Sequence, residues 1–415
     1  MYNLHLSAEQ LEIRDTVRDF VAHRIKPFAV KPERLEALDR SLPLDLLDQA
    51  SRLGLRTLAL SEAAGGAGAD QLTGCIVAEE LAAGDPDMAA VLAETSRLGR
   101  LLFDRLITAE QRERFLPAFL DDDRYHLAFA EHEPERDTAL GANYHRPTAN
   151  DPDLQTVATR AGSGEWVING RKHCVANAPV AKLIALTVLT EPRGPDPERV
   201  RAILVPRDAP GLTVEAYDVR EARFHGAFGE VVLQDCRVPA QNLLAADGHQ
   251  AGPTPDDGAP LAAAVNLGIG RAACEAALDY AQLRVQGGRR IIEHQAIGAK
   301  LADVAIRLHV ARTAVWQAAW AADHPEAQAD RSLPDLPLAT IAHAFTAEAV
   351  YRAAKDAAEC FGAMGVMRDM PLQKYVHDAL IGLNAGHGVS DAKLRVAEAL
   401  TGYRRLPAAA ARAAE

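Results

Sequence analysis

Apolar residues recur at helical spacing in the first part of the chain. After Ser7, a suitable N-cap residue, an apolar series continues through Leu11, Val17 and Phe20, with a period that predicts an amphipathic helix. A glycine-rich break at 65–68 precedes another run of helical period, which starts at Gln71. The first 125 or so residues are therefore predicted to be helical.

The pattern changes between about residues 126 and 244, where short β-prone runs are separated by Pro and Gly. These runs cover residues 165–168, 183–190, 202–205 and 231–233. Asn169 and Gly170 directly follow the first run and predict a two-residue hairpin turn there. This segment is typical of a small antiparallel β-domain.

A Gly-, Pro- and Asp-rich segment, 245–260, predicts a linker, and helical spacing returns after it. One predicted helix face carries Leu301, Val304, Leu308, Ala311 and Val315. The Ala-rich tail from Pro407 is predicted to be frayed. The order predicts an α+β protein with an amino-terminal helical domain (1–125), a middle antiparallel β-domain (126–245) and a carboxy-terminal four-helix bundle (246–415).

The composition narrows the classes of function. Hydrophobic residues make up 48% and charged residues 25% of the 415, as in a soluble globular protein. A formal net charge of -12 argues against nucleic-acid binding. We find no apolar run near the ~20 residues of a membrane span and no signal peptide, so we expect a cytoplasmic protein. Five scattered cysteines, none in CxxC spacing, predict neither a metal site nor a disulfide framework.

Four segments, in this order, resemble motifs of the acyl-CoA dehydrogenase family. They are Trp-Val-Ile-Asn-Gly-Arg-Lys at 166–172, Gln-Asp-Cys-Arg-Val-Pro at 234–239 with Asn-Leu-Leu at 242–244, Arg-Val-Gln-Gly-Gly-Arg-Arg-Ile-Ile-Glu-His-Gln at 284–295, and Phe-Gly-Ala-Met-Gly-Val at 361–366. Each motif alone is weak, but together they span almost the whole chain. The sequence is therefore identified as similar to this family over most of its length.

The resemblance implies a flavoprotein oxidoreductase that holds FAD between subunits of a homodimer or homotetramer and binds an acyl-CoA or related thioester. In that family a glutamate removes the α-proton while the flavin takes the β-hydride. An oxidising enzyme of this kind also needs an electron-transfer partner. A carboxylate must be aimed at the α-carbon, because that C–H bond is only weakly acidic.

The family's glutamate is missing where the resemblance places it. Ungapped counting from Asp378 puts Gly386 at that position, and counting back from Arg284 to the alternative location puts Gly258 there. The replacement candidates for the base are His387, which follows the vacant position, and Glu94, in the segment that lines the acyl pocket in the family. Two further candidates are Asp257, as a base, and Arg97, as a partner for an acidic acyl group.

The resemblance also assigns flavin-contact positions, several of which carry unusual residues. They are Phe129, Ala130, Cys174, Ala176, Arg284, Gly288, His294, Phe361 and Gly362. Ala130 and Ala176 occupy positions where the family has hydroxyl residues, and Cys174 occupies a position where it has a tryptophan. Arg284 is the expected ligand of the flavin phosphates, because a guanidinium can form forked bonds to phosphate. Glu359 replaces a glutamine, and its charge opposes phosphate binding unless Arg284 or Lys393 offsets it.

Three hypotheses follow for the function. The first is a flavoenzyme that acts on an acyl-CoA or related thioester by α,β-dehydrogenation or elimination, with a non-standard or missing base. The second is a non-catalytic or half-site subunit of a heteromeric acyl-CoA dehydrogenase. The third is a flavin monooxygenase of the same fold. The small residues Ala385 and Gly386 leave space for a bulky, branched or cyclic acyl group.

Overall fold

The computed structural model describes residues 5–31, 35, 41–134, 154–162, 164–190, 200–217, 225–244, 258–367, 369–384 and 388–401. The helices before the sheet are α1 (Ala8–Phe20), α2 (Lys26–Ala29), α3 (Leu44–Arg52), α4 (Gln71–Ala82), α5 (Pro86–Leu101) and α6 (Ala109–Asp121). Ser7 caps α1 as predicted, since its hydroxyl accepts from the Gln10 N–H while the Gln10 side chain accepts from the Ser7 N–H.

Seven strands form one curled sheet in the described part of the chain. They are β1 (His126–Ala130), β2 (Val157–Ala161), β3 (Glu165–Ala176), β4 (Ala181–Leu189), β5 (Val200–Pro206), β6 (Leu212–Ala216) and β7 (Phe228–Pro239). The order is β1-β4-β2-β3-β7-β6, with β5 on β4. Four predicted β-prone runs lie in β3, β4, β5 and β7. The sequence predicted an antiparallel sheet, but β4 pairs in parallel with both β1 and β2. The sheet is therefore mixed.

The prediction of a two-residue hairpin turn at Asn169 and Gly170 is wrong. Both residues lie inside β3, where the register with β7 shifts between Ile168 and Gly170 as in a β-bulge. Gly170 has a φ of 152°, and a Cβ there would lie 2.6 Å from the Cα of Thr156. The glycine therefore allows a close strand approach, and the pair of residues marks a bend instead of a chain reversal.

The remaining helices are α7 (Ala259–Leu283), α8 (Gln295–Asp323), α9 (Glu326–Ala329), α10 (Leu338–Cys360), α11 (Leu372–Asn384) and α12 (Gly388–Thr401). A two-stranded hairpin, β8 (Val285–Gln286) and β9 (Arg289–Arg290), joins α7 to α8. Helices α7, α8, α10 and α11 share one apolar core, which agrees with the predicted bundle. The predicted apolar face of α8 is buried throughout.

Helix α7 differs from expectation in two respects. It begins at Ala259, so the last two residues of the predicted linker are helical. Among the described helices it is the one with the length and apolarity of a membrane span, yet 67% of its apolar window is buried inside the protein. The apolar composition of α7 is thus explained by packing against α4, α8 and α10.

Candidate functional site

Glu94 and Arg97 form a paired group on α5 next to the start of α7. Arg97 Nε and Nη2 donate to the two carboxylate oxygens of Glu94 at 2.9 and 2.8 Å. The side chains retain 23% and 11% of their exposure, so the pair is largely withdrawn from water. A Cβ at Gly258 would lie 3.7 Å from Arg97 Nε. The structure therefore brings together three residues that the sequence singled out separately.

The end of β3, which carries Ala176, is fastened to the same helix α5. Asn177 has a left-handed φ of 63° and is buried. Its side-chain amide donates to Val91 O at 3.1 Å, Thr95 Oγ1 at 3.0 Å and Leu127 O at 3.2 Å. Ala176, a predicted flavin contact, thus has a fixed position relative to the helix that carries Glu94.

Cys174 lies at a second bulge of β3 with a left-handed φ of 51°. Its N–H donates to the hydroxyl of Tyr217 at 2.9 Å, and that hydroxyl lies 2.7 Å from His173 Nδ1. Glu230 Oε1 lies 3.1 Å from the same imidazole nitrogen. Burial raises the pKa of Tyr217, so its hydroxyl stays protonated. The half-buried thiol therefore stands in a polar network where the resemblance implies an aromatic ring.

Phe129 and Ala130 end β1 and face the interior. Phe129 is 8% exposed and packs in the core formed with α5 and α6, while Ala130 is 0% exposed within the sheet core. A contact between either residue and a cofactor would therefore involve mainly the backbone. Directly after β1, the Glu131 carbonyl accepts from Lys172 Nζ at 3.4 Å and the His132 carbonyl accepts from the His173 N–H at 2.9 Å.

Glu133 anchors the segment that follows β1 through a buried ion pair. Its carboxylate accepts from Lys172 Nζ at 2.8 Å, from the Thr156 hydroxyl at 2.6 Å and from the Gln155 N–H at 2.6 Å. Burial alone would raise the pKa of Glu133, but the Lys172 ammonium and these hydrogen bonds outweigh it, and the pKa is lowered. The pair fixes the geometry at the predicted flavin end of the sheet.

The hairpin between α7 and α8 presents three arginines to solvent. Arg284, Arg289 and Arg290 are all exposed, and within the described ranges none of them has a carboxylate partner. Gly287 and Gly288 form the turn with φ values of 63° and 83°. His294 Nε2 donates to Gln286 O at 3.0 Å, so this histidine braces the hairpin. Three neighbouring guanidinium groups without counter-ions are suited to a phosphate-bearing ligand.

Phe361 and Gly362 lie behind this hairpin at the end of α10. The Phe361 ring stacks on Tyr280 with centroids 4.0 Å apart, and Gly362 adopts a φ of 58°. Glu359 forms ion pairs with Lys300 and, at 3.9 Å, with Lys355. Hydrogen bonding to Lys300 lowers the pKa of Glu359.

The cations that offset the charge of Glu359 differ from those that the sequence suggested. Lys393 pairs with Glu348 instead of Glu359. Lys300 and Lys355 supply the positive charge, and Arg284 remains exposed without an ion-pair partner in the part of the chain that the structure describes. The charge of Glu359 is therefore offset by two lysines and not by Arg284 or Lys393.

Helix α11, which leads toward the vacant base position, is held at two points. His225 Nε2 donates to Asp378 O at 2.9 Å, while its Nδ1 lies 3.5 Å from Asp87 Oδ1 on α5. Further along α11, a Cβ at Gly382 would lie 2.1 Å from Asn266 Oδ1 on α7. Asn266 lies about 12 Å along α7 from Gly258, the position that Arg97 approaches. Helices α5 and α11 therefore approach the same half of α7.

Three of the predicted site positions fall outside the described residues: Asp257, Gly386 and His387. Sequence reasoning missed Tyr217, the Glu133–Lys172 pair and the His225–Asp87 contact, which join segments far apart in the chain. A sequence signal did exist for Asn177, because Asn is enriched at left-handed positions. Among the described residues there is no cluster of His, Cys, Asp or Glu that could hold a metal ion.

Comparison with known proteins gives matches along most of the chain. Three family models match: acyl-CoA dehydrogenase, N-terminal domain (7–123), middle domain (149–236) and C-terminal domain (256–399). A probable acyl-CoA dehydrogenase, YngJ, of Bacillus subtilis is 31% identical over 398 residues, covering 94% of this chain and 97% of its own length.

Two further proteins extend this comparison. Benzylmalonyl-CoA dehydrogenase of Aromatoleum aromaticum is 31% identical over 406 residues, covering 95% of this chain and 98% of its own. The solved structure of butyryl-CoA dehydrogenase from Megasphaera elsdenii superposes with a TM-score of 0.81 at 26% identity, covering 96% of this chain and all of that one.

Proposed function

The chain belongs to the acyl-CoA dehydrogenase family, and from this premise we propose that it is an FAD-dependent enzyme that acts on an acyl-CoA thioester. The observation that carries the proposal for the site is the double contact of α7, with Arg97 at Gly258 and with Gly382 at Asn266. These contacts involve Arg97 of α5 and Gly382 of α11, which both approach the same half of α7. A cleft between them is the proposed seat of the acyl group.

The cofactor is FAD. The hairpin of Arg284, Arg289 and Arg290 is the proposed site for its diphosphate, because these guanidinium groups are exposed and have no described carboxylate partner. The pairing of Glu359 with Lys300 supports this assignment, because it offsets the charge of the carboxylate that the resemblance places near the diphosphate. When bound, FAD supplies the acceptor for a hydride from the β-carbon of the acyl group.

The half-exposed strand end at Cys174 and Ala176 is the proposed platform for the flavin ring. Its small side chains leave room for a planar ring, and the Asn177 and Tyr217 hydrogen bonds hold the backbone in a fixed position. Compared with an aromatic residue, Cys174 offers less stacking area, so we expect the flavin to be bound less tightly through this face.

We propose His387 as the base that removes the α-proton. Glu94 is the weaker candidate, because both of its carboxylate oxygens accept from Arg97 and this ion pair competes with removal of a substrate proton. A neutral imidazole accepts a proton at physiological pH, whereas its charged form does not. Glu94 and Arg97 are instead proposed to form one wall of the acyl site.

The experiment starts with the visible absorbance of the purified protein before and after addition of FAD. We expect a bound oxidised flavin that is bleached by an acyl-CoA substrate. His387→Ala should abolish bleaching at unchanged flavin content, and the wild-type rate should rise with pH through the titration of an imidazole. A protein that stays colourless with FAD would contradict the proposal and favour a half-site subunit of a heteromer.

Two matched variants separate the base candidates. Glu94→Gln keeps the size of the side chain but removes its charge, and Glu110→Gln on the exposed face of α6 is its control. We expect Glu94→Gln to weaken substrate binding while bleaching still proceeds. Complete loss of bleaching in Glu94→Gln, with normal bleaching in His387→Ala, would transfer the role of base to Glu94.

We further propose that the working form is a homodimer or homotetramer and that an electron-transfer partner reoxidises the flavin. An oxidation leaves two electrons on the cofactor, so turnover requires an electron acceptor other than the thioester substrate. Turnover with an artificial electron acceptor would support oxidation, whereas conversion of substrate without any acceptor would indicate elimination.

A further inference from the structure

A cavity of about 290 Å³ lies where α1 and α4 of the amino-terminal helices meet α7 and α8 of the bundle. Four arginines line it from three helices: Arg14 and Arg18 on α1, Arg271 on α7 and Arg312 on α8. The other lining residues are Leu6, Ile76, Glu79, Glu80 and Trp316. The cavity therefore shares no residue with the proposed acyl, flavin or base positions.

Two buried carboxylates bind three of these arginines. Glu80 Oε1 accepts from Arg18 Nη2 at 2.7 Å and from Arg271 Nη1 at 2.6 Å. Glu79 Oε1 accepts from Arg312 Nη2 at 2.7 Å. Burial alone would raise the pKa of Glu80, but the hydrogen bonds from Arg271 and Arg18 outweigh it, and the pKa is lowered. With both glutamates ionised, the lining carries four positive charges against two negative ones.

The carboxylates just outside the lining leave this excess of positive charge in place. Asp15 pairs with Arg14 at 2.7 Å, but its side chain is 61% exposed, so water screens the interaction. Glu275 lies 3.5 Å from Arg271 Nε and is shared with Lys26, whose Nζ is 2.7 Å away. An anion inside the cavity would therefore be attracted to it.

The lining also has hydrogen-bond donors that lack an acceptor. Arg14, Arg18 and Arg312 each use Nε and Nη2 in their ion pairs. Within the described ranges, neither the Nη1 group of these three arginines nor the indole N–H of Trp316 has an acceptor. The buried carboxylates already accept from arginines. A ligand that complements this lining must therefore supply acceptor atoms and negative charge.

We propose that this cavity binds a phosphate group. A tetrahedral oxyanion has acceptor oxygens in several directions, so it can receive charge-assisted hydrogen bonds from guanidinium groups on α1 and on α8 at the same time. The volume equals that of roughly ten water molecules at ~30 Å³ each, which is enough for inorganic phosphate with part of its hydration or for a small phosphate ester. The bound group would join α1 to the bundle and so stabilise the contact between the two helical domains.

Equilibrium dialysis of the full chain with inorganic phosphate tests the proposal, with sodium chloride keeping the ionic strength constant. We expect saturable binding with a dissociation constant of about 1 mM or lower. Arg14→Gln removes one charge and pairs otherwise only with exposed Asp15, so the variant should fold and bind phosphate at least tenfold more weakly. Arg24→Gln, at an exposed position shortly after α1, is the matched control and should bind as wild type does. Absence of saturable binding, or equal binding in wild type and Arg14→Gln, would overturn the proposal.

The exposed arginine hairpin between α7 and α8 is a second place where phosphate would bind, and Arg284→Gln separates the two. Binding at the cavity should persist in Arg284→Gln and be lost in Arg14→Gln. The reverse pattern would assign the phosphate to the hairpin and overturn the inference without affecting the proposed function.

The fluorescence of Trp316 locates the bound group by a second measurement. Phosphate should change the emission of wild type and leave that of Trp316→Phe unchanged, because the remaining tryptophans do not line the cavity. An equal change in both proteins would contradict binding at this place. Adenosine 5′-monophosphate distinguishes the two sources of the group: tighter binding than inorganic phosphate indicates an ester, weaker binding indicates the free ion, and either order supports the site.

Discussion

The side-chain amide of Asn177 donates a 3.0 Å hydrogen bond to the hydroxyl of Thr95 and so connects the end of β3 to the middle of α5. Thr95 is fully buried and its hydroxyl lies 3.1 Å from His126 Nδ1. Three segments that are distant in the sequence thus meet at one polar cluster inside the protein. Because Glu94 precedes Thr95, this cluster also fixes the orientation of the proposed acyl wall.

Thr95→Val tests the importance of this cluster for stability. The substitution keeps the shape of the side chain but leaves buried polar atoms of Asn177 and His126 without their shared partner, so we expect a loss of about 1–3 kcal/mol in the free energy of unfolding. Urea denaturation measures the loss. Thr159→Val, at an exposed position of β2, should change the free energy by less than about 0.5 kcal/mol. Equal effects of the two substitutions would contradict the proposed role.

His126 predicts a dependence of stability on acid pH. Burial lowers the pKa of His126 to about 4, from an ordinary value of about 6.5. The unfolded chain therefore binds a proton more readily, and the free energy of unfolding should fall as the pH falls from about 6.5 to about 4, by about 3 kcal/mol in total. In His126→Asn this part of the slope should disappear. A slope that is the same in both proteins would show that other groups cause it.

The helical parts of the fold are predictable because their apolar spacing is local. Ser7 and the face of α8 from Leu301 to Val315 carry that information within a few turns. The local signal of Asn169 and Gly170 misleads for the same reason, since their conformation is decided by Thr156 on a neighbouring strand and by the pairing of β3 with β7. A long-range contact here overrides a turn preference.

The site is less predictable than the fold. Motif positions single out Glu94, Arg97 and Gly258 one by one, but nothing in their local sequence shows that Arg97 donates to both oxygens of Glu94 or lies against Gly258. The offset of Glu359 by Lys300 is equally non-local, since the two residues lie on α10 and α8. Side-chain pairing across elements depends on packing, and one sequence without its contacts does not specify it.

His225 predicts the opposite pH dependence, at higher pH. Burial alone would lower the pKa of His225, but the Asp87 carboxylate, 3.5 Å from its Nδ1, and the charge of Asp378 outweigh it, and the pKa is raised. The charged groups that face His225 are Asp87 on α5 and Asp378 on α11. The carboxylate of Asp378 also pairs with Lys374 at 2.8 Å. The stabilisation is complete below about pH 6.5 and should be lost as the pH rises through the raised pKa.

The measurement for His225 compares wild type with His225→Gln by thermal unfolding between neutral and alkaline pH. The amide can still donate to Asp378 O but does not titrate, so the variant should be less stable at pH 6 and should lose less stability as the pH rises. Parallel curves for the two proteins would contradict the role of the imidazolium. A companion variant, Asp87→Asn, should reduce the same slope because it removes the charge that favours protonation.

Gly382 predicts a steric limit at the contact between α7 and α11. A Cβ there would lie 2.1 Å from Asn266 Oδ1 and 2.6 Å from its Cγ, and Asn266 is itself buried. Gly382→Ala should therefore cost about 1–3 kcal/mol through overpacking, although alanine favours the helix. Gly298→Ala on α8, where the nearest atom is 3.6 Å away, is the matched control and should not destabilise.

A double-mutant cycle separates this clash from a general effect of Gly382→Ala on the helix. Asn266→Ala removes the atoms that the new methyl group would meet, so it should restore most of the lost stability when it is combined with Gly382→Ala. The expected coupling between the two positions is about 1 kcal/mol or more in the stabilising direction. Purely additive free energies from urea denaturation would show that Asn266 does not determine the need for glycine. The need for glycine at position 382, in the contact between α7 and α11, would then have to be explained by another neighbour.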